Sequence, residues 1–478
     1  MPIKIILSIL LCLPLKAADL SGKWTGTIEF GTPDGQTRSQ PLILVLKQNG
    51  TTLSGTAGPN AGNQREISNG KVEGDAIGFD LPTGPNNSLQ AKLILMADRL
   101  SGSITGPGAP ELKFSATRFV PPSAASLRAQ LAEIDSMVAA EFSKQPIGSV
   151  TAGVVSGNQL IWSKSYGNAD MERKTPADPD TVYRIGSITK MFTAVMLEQL
   201  VEARKVHLSD PAEKYLPELK TVQGRFPDAP PVTLIQLATH TAGLGREPDD
   251  LPTYLKGSVS DWEKVLIAAL PHTHYEFEPG TRWSYSNIGF AILGAALAHA
   301  AGEAYFAYVP KHIFEPLGMA HSALEPNPKM LAHLSKGYQM ERGGKVDAET
   351  AQREHDGRGY KVPNGAVYTT VGDLARFASF LMGEGPESVL KTASLERILA
   401  QTPVQADLEL SSGYGLGVEV SRRDKYIVFG HSGAVAGYQA ALYMNRKSGL
   451  AVILLANVLG TPLNTTGLAQ RSLDILSK

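Results

Sequence analysis

The chain has 478 residues, of which 42% are hydrophobic and 19% charged, with 47 Gly, 31 Pro and one Cys. That length can bury more than one core, the hydrophobic fraction excludes a disordered chain, and the Gly and Pro content shows no collagen-like period. With 45 Lys and Arg against 46 Asp and Glu the net charge is −1 and no long single-sign run occurs, so nucleic acids and acidic membranes have no electrostatic support as partners.

Residues 1–18 read as a secretory signal: Lys4, the short apolar run Ile5–Leu15, and then Lys16-Ala17-Ala18. The run is too short to span a bilayer, which takes about 20 residues. An exported protein, periplasmic or extracellular, is therefore expected. Cys12 would leave with the leader, and disulfides, thiolate metal sites and a cysteine nucleophile would go with it. Loss of Lys4 and Lys16 would take the net charge from −1 to −3. No later stretch is apolar and long enough for a membrane span.

Residues 19–120 alternate apolar and polar positions in short runs. Gly22–Phe30, Pro41–Lys47, Thr52–Ala57, Ala76–Leu81, Gln90–Met96, Ser101–Thr105 and Glu111–Phe119 are predicted strands. Asn49-Gly50 and Asn69-Gly70 are predicted hairpin turns, since this pair accepts positive φ at little cost. Leu53-Ser54-Gly55-Thr56 before Gly58-Pro59 is echoed by Leu100-Ser101-Gly102-Ser103 before Gly106-Pro107. The pattern predicts a small antiparallel barrel, closed or nearly so. No convergent polar set marks a ligand within it, so an accessory packing or substrate-presenting role is expected.

Pro121-Pro122-Ser123 opens a linker over residues 121–126, and the texture then changes. Leu127, Leu131, Ile134, Met137, Val138 and Phe142 recur at helical spacing. Two strands follow, Ser149–Ser156 and Leu160–Gly167, turning at Gly157-Asn158. Helical patterns dominate until strand texture returns at Tyr426–Met444 and Leu450–Leu455. Strands at both ends with helices between predict an α+β domain over residues 127–478, its terminal strands sharing one sheet.

His272-Thr273-His274 is the only close histidine pair and lacks a third ligand at a metal-site spacing, so no metal is expected. No Gly-x-Ser-x-Gly elbow, phosphate loop or dinucleotide fingerprint occurs, and no cofactor is implied. Ser-x-x-Lys occurs at Ser68 and at Ser187. Ser68-Asn69-Gly70-Lys71 falls on a predicted barrel hairpin and is read as chance. Ser187-Ile188-Thr189-Lys190 opens the apolar helical run Met191, Phe192, Val195, Met196 and Leu200. A serine on a first helical turn lies among unpaired backbone N–H groups that can stabilise an oxyanion. Lys190 stands three residues on, on the same face, and burial would favour its neutral, proton-accepting form.

Tyr-x-Asn occurs at Tyr166, Tyr285 and Tyr443, the first and last inside predicted strands. Tyr285-Ser286-Asn287 instead follows the turn Glu278-Pro279-Gly280 and precedes the apolar helix Ile288–Leu297, a loop position suited to function. Tyr285 could shuttle a proton between Ser187 and a leaving group, while Asn287 could orient Lys190 or the substrate carbonyl. The third element is Gly430-His431-Ser432-Gly433-Ala434, where glycine permits close approach and the Ala434 N–H could complete an oxyanion hole.

From about Leu127 onward the chain resembles the serine β-lactamase and penicillin-binding-protein superfamily, specifically its class C-like branch. Supporting segments occur in order: Leu208-Ser209-Asp210-Pro211, Leu237 through Leu244, Glu278-Pro279-Gly280, Pro316-Leu317-Gly318-Met319 and Tyr414-Gly415-Leu416-Gly417. The resemblance implies Ser187 as the acylated nucleophile, Lys190 and Tyr285 as the base system, and His431-Ser432-Gly433 as the third motif. It also implies a fold of antiparallel sheet flanked by helices and a small-molecule or peptide substrate. His431 departs from the lysine of true class C β-lactamases and is similar to the branch holding esterases and D-aminopeptidases. Asn364-Gly365-Ala366 replaces a more glycine-rich loop. The leading expectation is an exported serine hydrolase cleaving ester, amide or D-amino-acid peptide bonds. The alternatives are a β-lactamase or DD-peptidase, and a catalytically silent binding protein.

Overall fold

The computed structural model describes residues 19–32, 35–60, 63–84, 87–355, 357–400, 412–423 and 426–478; the predicted leader, with Cys12, lies outside them. The chain divides after Val120 into two compact units.

The first unit is all β. Its strands are β1 (Gly22–Gly31), β2 (Thr37–Asn49), β3 (Thr52–Asn60), β4 (Asn63–Glu66), β5 (Ser68–Glu73), β6 (Ala76–Gly84), β7 (Asn87–Met96), β8 (Arg99–Gly106) and β9 (Ala109–Arg118). They lie in the order β2-β1-β9-β8-β7-β6-β5-β3-β4, and β2 also pairs with β3, so eight strands close a barrel with β4 appended. Closure removes the sheet edges. Period-2 alternation sends Ala91, Leu93 and Leu95 of β7 inward and Gln90, Lys92 and Ile94 outward. The interior is filled by side chains such as Trp24, Leu44, Phe79, Leu100 and Phe114. Asn49-Gly50 turns between β2 and β3, with Gly50 at φ 62°. Asn69-Gly70 differs from expectation: it lies inside β5, where Asn69 has φ 53° and the register slips between Ser68 and Lys71. The pair's tolerance of positive φ is used for a bulge rather than a hairpin. β4 and β5 escape prediction because this polar, bulged stretch loses the alternation that marks a strand.

The second unit is built on an eight-stranded sheet. Its order is Thr175–Pro176, Gln159–Asp170, Ser149–Ser156, Leu450–Ala456, Tyr438–Asn445, Ile427–Val435, Glu419–Arg422 and Ser412–Tyr414. Ser149–Ser156 pairs antiparallel with Leu450–Ala456, joining the two ends of the unit as the sequence predicts. The three central strands are buried on both faces. Val452 and Leu454 face the core shared with Leu131, Ile134 and Val138 of the helix Arg128–Ser143 and with Leu468 and Leu473 of the helix Thr465–Leu476. Ala451, Ile453 and Leu455 face the larger core, which holds the helices Thr189–Glu202 and Asn287–Ala301. Both helices are buried nearly all round, as expected of helices apolar on every face. Among the described residues no single helix is long and apolar enough to cross a membrane.

Candidate active site

Ser187 lies in the 3-10 turn Gly186–Ile188, which runs directly into the helix Thr189–Glu202. The turn is pressed against the far half of the strand Ile427–Val435. Only Ile427–Gly430 of that strand pairs with Glu419–Arg422, which leaves the other half free to meet Ser187. The contact tolerates no side chain: a Cβ on Gly433 would lie 1.9 Å from the Ile185 carbonyl oxygen, and one on Gly186 (φ 51°) would lie 2.8 Å from the Ala434 nitrogen. Glycine at both places lets the Ala434 amide approach the serine turn.

Lys190 is fully buried. Its Nζ lies 3.1 Å from Ser187 Oγ, 2.9 Å from Asn287 Oδ1 and 3.1 Å from the Asn364 carbonyl oxygen. Desolvation drives its pKa well below the usual lysine value; the nearby Glu247 carboxylate opposes this, and Lys361 and Arg246 add to it. A neutral amine has two N–H groups and one lone pair. The two carbonyl oxygens only accept, so they take both N–H groups and the lone pair is left for the Ser187 hydroxyl. The Asn287 amide is oriented in turn, because its Nδ2 donates to Glu247 Oε1 at 2.7 Å and a carboxylate has no proton to give. The same Oε1 accepts from Lys361 Nζ at 3.0 Å, and Tyr360 OH donates to Oε2.

Tyr285 is half-buried on the loop before the helix Asn287–Ala301, and its ring centroid is 4.8 Å from Lys190 Nζ. Burial raises its pKa, and a hydrogen bond with Ser187 acts in the opposite direction. The phenol is therefore protonated at neutral pH. Ser286 holds the loop: its Oγ accepts from Gly289 N–H as the N-cap and donates to the Gly245 carbonyl, and its own N–H donates to His240 Nδ1. Asn287 N–H donates to the Arg246 carbonyl at 2.9 Å. His240 is buried in a left-handed conformation (φ 59°), its ring 4.3 Å from that of Tyr285 and 4.7 Å from that of Tyr414. Such a backbone is uncommon outside glycine and persists where surroundings enforce it.

Ser187, Asn287 and Ala434 share the wall of a cavity of about 350 Å3. His431 is fully buried instead: Nε2 accepts from Tyr414 OH at 2.8 Å and Nδ1–H donates to the Ser432 carbonyl. Desolvation lowers its pKa, so the ring is neutral. Ser432 Oγ donates to Glu419 Oε1 at 3.2 Å. Thus Ser187, Lys190, Tyr285 and Asn287 converge, Gly433 and Ala434 form the strand contact, and His431 and Ser432 stand behind it. Glu247 and the Asn364 carbonyl have no local sequence signal for their roles. Glu247 is one more charged residue in a polar loop, and a backbone oxygen carries no residue identity.

The fold is that of the serine β-lactamases and penicillin-binding proteins. It is similar to the octameric penicillin-binding protein homologue from Pyrococcus abyssi (TM-score 0.61, 23% identity, covering 73% of this chain and 77% of that one). It is also similar to a class C β-lactamase (TM-score 0.60, 19% identity, covering 72% and 96%). The chain belongs to the Beta-lactamase family, whose model matches residues 133–476. Beta-lactamase-like protein 2 of Dictyostelium discoideum is 28% identical over 324 residues, 66% of this chain. Protein flp of Staphylococcus aureus (strain MRSA252) is 23% identical over 328 residues, 68% of this chain. The chain spans only 57% and 62% of these relatives' own lengths.

Proposed function

We propose that the protein is an exported serine hydrolase of the class C-like branch, cleaving ester or amide bonds, D-amino-acid peptides included, through an acyl-Ser187 intermediate. The observation that supports it most is the set of contacts to Lys190, which leaves the amine one lone pair and directs it at Ser187. In this reading the Ser187 hydroxyl gives its proton to Lys190 Nζ as Oγ attacks the carbonyl carbon. The backbone N–H groups of Ser187 and Ala434 receive the oxyanion. Tyr285, a protonated phenol beside Ser187, donates to the leaving group and is reprotonated from Lys190. Water then cleaves the acyl-enzyme with the same groups in reverse.

A fluorophosphonate probe should label wild type at Ser187 and leave Ser187→Ala unlabelled, and a 4-nitrophenyl ester should show a burst equal to the labelled fraction. Equal ester turnover by Ser187→Ala would sink the proposal. The neutral, buried His431 favours esters over β-lactams, because no cation stands at that position to hold a β-lactam carboxylate. Turnover of a chromogenic cephalosporin or a D-Ala-D-Ala peptide at rates matching the ester would reverse that preference. Export rests on the leader-like residues 1–18; N-terminal sequencing of protein recovered from outside the cytoplasm should begin near Asp19.

A further inference from the structure

The wall of the Ser187 cavity also carries Arg184, Arg358, Lys361 and Glu354. Arg184 is 1% exposed and Arg358 3% exposed. Glu354 Oε2 accepts from Arg184 Nη2 at 3.0 Å, and Lys361 is paired with Glu247. Among the described residues Arg358 donates to the Gly365 carbonyl and the Tyr368 hydroxyl. Arg184 Nε and Nη1 and Arg358 Nε have no hydrogen-bond acceptor among the described residues. The rings of Tyr368 and Tyr438 flank the guanidinium groups at 4.9 to 5.9 Å, and these offset part of the burial cost without using the N–H donors. His355, beside them, is held neutral, its pKa pushed down to about 3 by burial and by the two arginines. Burial and Arg184 push the Arg358 guanidinium down to about 10, which still leaves it charged at neutral pH. Among the described residues these two buried guanidiniums thus meet one carboxylate, Glu354 on Arg184, and leave three nitrogens without an acceptor, and both side chains line the cavity that Ser187 opens into. A buried cation short of a counter-charge is a costly arrangement that a bound anion relieves.

We propose that this cavity is an anion subsite, and that the substrate is an ester or amide whose acyl chain ends in a carboxylate. The inference rests on the acyl-serine reading above. The acyl side is chosen because Tyr285, which would protonate the leaving group, is absent from the cavity wall, whereas Ser187 and Ala434 are on it. The leaving group then departs on the Tyr285 side, and the acyl chain occupies the cavity.

The test compares 4-nitrophenyl hemiesters of C5 to C8 dicarboxylic acids with their uncharged methyl diesters on the full-length protein. At the best chain length, wild type should favour the hemiester in kcat/KM by about tenfold or more, the scale of one charge-assisted hydrogen bond. Arg358→Gln should reduce that ratio; a ratio is independent of how much of the variant folds. Calorimetry on Ser187→Ala provides a readout free of catalysis: monomethyl adipate should bind and dimethyl adipate should not. Methyl diesters cleaved as fast as hemiesters at every length would overturn the subsite while leaving the hydrolase reading intact. Absence of any ester cleavage and of fluorophosphonate labelling, with monomethyl adipate still bound, would remove the hydrolase reading and keep the subsite. Equal binding of the two adipates would overturn the subsite alone.

Discussion

Lys190 is buried with no carboxylate among the described residues in direct contact, and burial of an ammonium costs several kcal/mol even after relaxation. The side chain meets that cost by losing its proton, so at this residue the chemistry of a base and a loss of stability have one cause. Because the folded pKa lies well below the ordinary 10.5, the unfolded chain binds one more proton across that interval. Stability from this group therefore rises with pH through the interval. Lys190→Met should raise the melting temperature at pH 7, by an amount that shrinks as pH approaches 10.5, and should abolish ester turnover. Glu247 gives a separable test, since it both orients Asn287 and raises the Lys190 pKa. In Glu247→Gln the new amide can donate to Asn287 and reverse it, and the charge is gone. We expect kcat/KM to fall by about tenfold or more. The acid limb of its pH profile should move to lower pH. A purely structural Glu247 would lower the rate without moving that limb.

Elements here are built locally and aimed by their neighbours. Thr233 and Gln236 form a reciprocal cap on the short helix Leu234–Ala238, with the Thr233 side chain and backbone both engaged. Thr233→Ala should cost about 1 kcal/mol in denaturant unfolding. Thr370, three residues before Asp373, forms only half of such a cap. Its Oγ1 accepts from Asp373 N–H, but the Asp373 carboxylate is drawn away to Arg376, His321 N–H and Ser322. The spacing of such a box is visible in sequence, whereas competition from a distant segment is not. Gly433→Ala tests the strand–turn contact. Its Cβ would meet the Ile185 carbonyl at 1.9 Å, so the strand must retreat from Ser187. A displacement of that order costs about a hundredfold in rate, read as slower fluorophosphonate labelling of a protein whose circular dichroism is unchanged.

Among the described residues the largest cores are one inside the barrel around Trp24 and two on the faces of the larger sheet. Trp24 is fully buried, donates Nε1–H to the Leu20 carbonyl at 2.9 Å and has Arg118 over its ring. Trp24→Ala should cost about 3–5 kcal/mol in the unfolding transition of residues 19–120, followed separately from ester turnover. Sequence alone determined the elements whose signal is local. Period-2 runs defined most barrel strands, the apolar run after Ser187 defined a buried helix, and Ser-x-x-Lys placed its two side chains one turn apart. It also placed Tyr285-Ser286-Asn287 at a helix start and paired the terminal strands of the larger unit. Only the tertiary structure decided that Asn69-Gly70 bulges a strand, that His431 is turned to Tyr414, and that Glu247 and the Asn364 carbonyl orient the site. It alone joined Arg184 and Arg358 on one cavity wall across 174 positions of sequence. The physical reason is range: propensity and periodicity act within a few residues, while desolvation, proton position and unsatisfied charge depend on what the folded chain brings from far away.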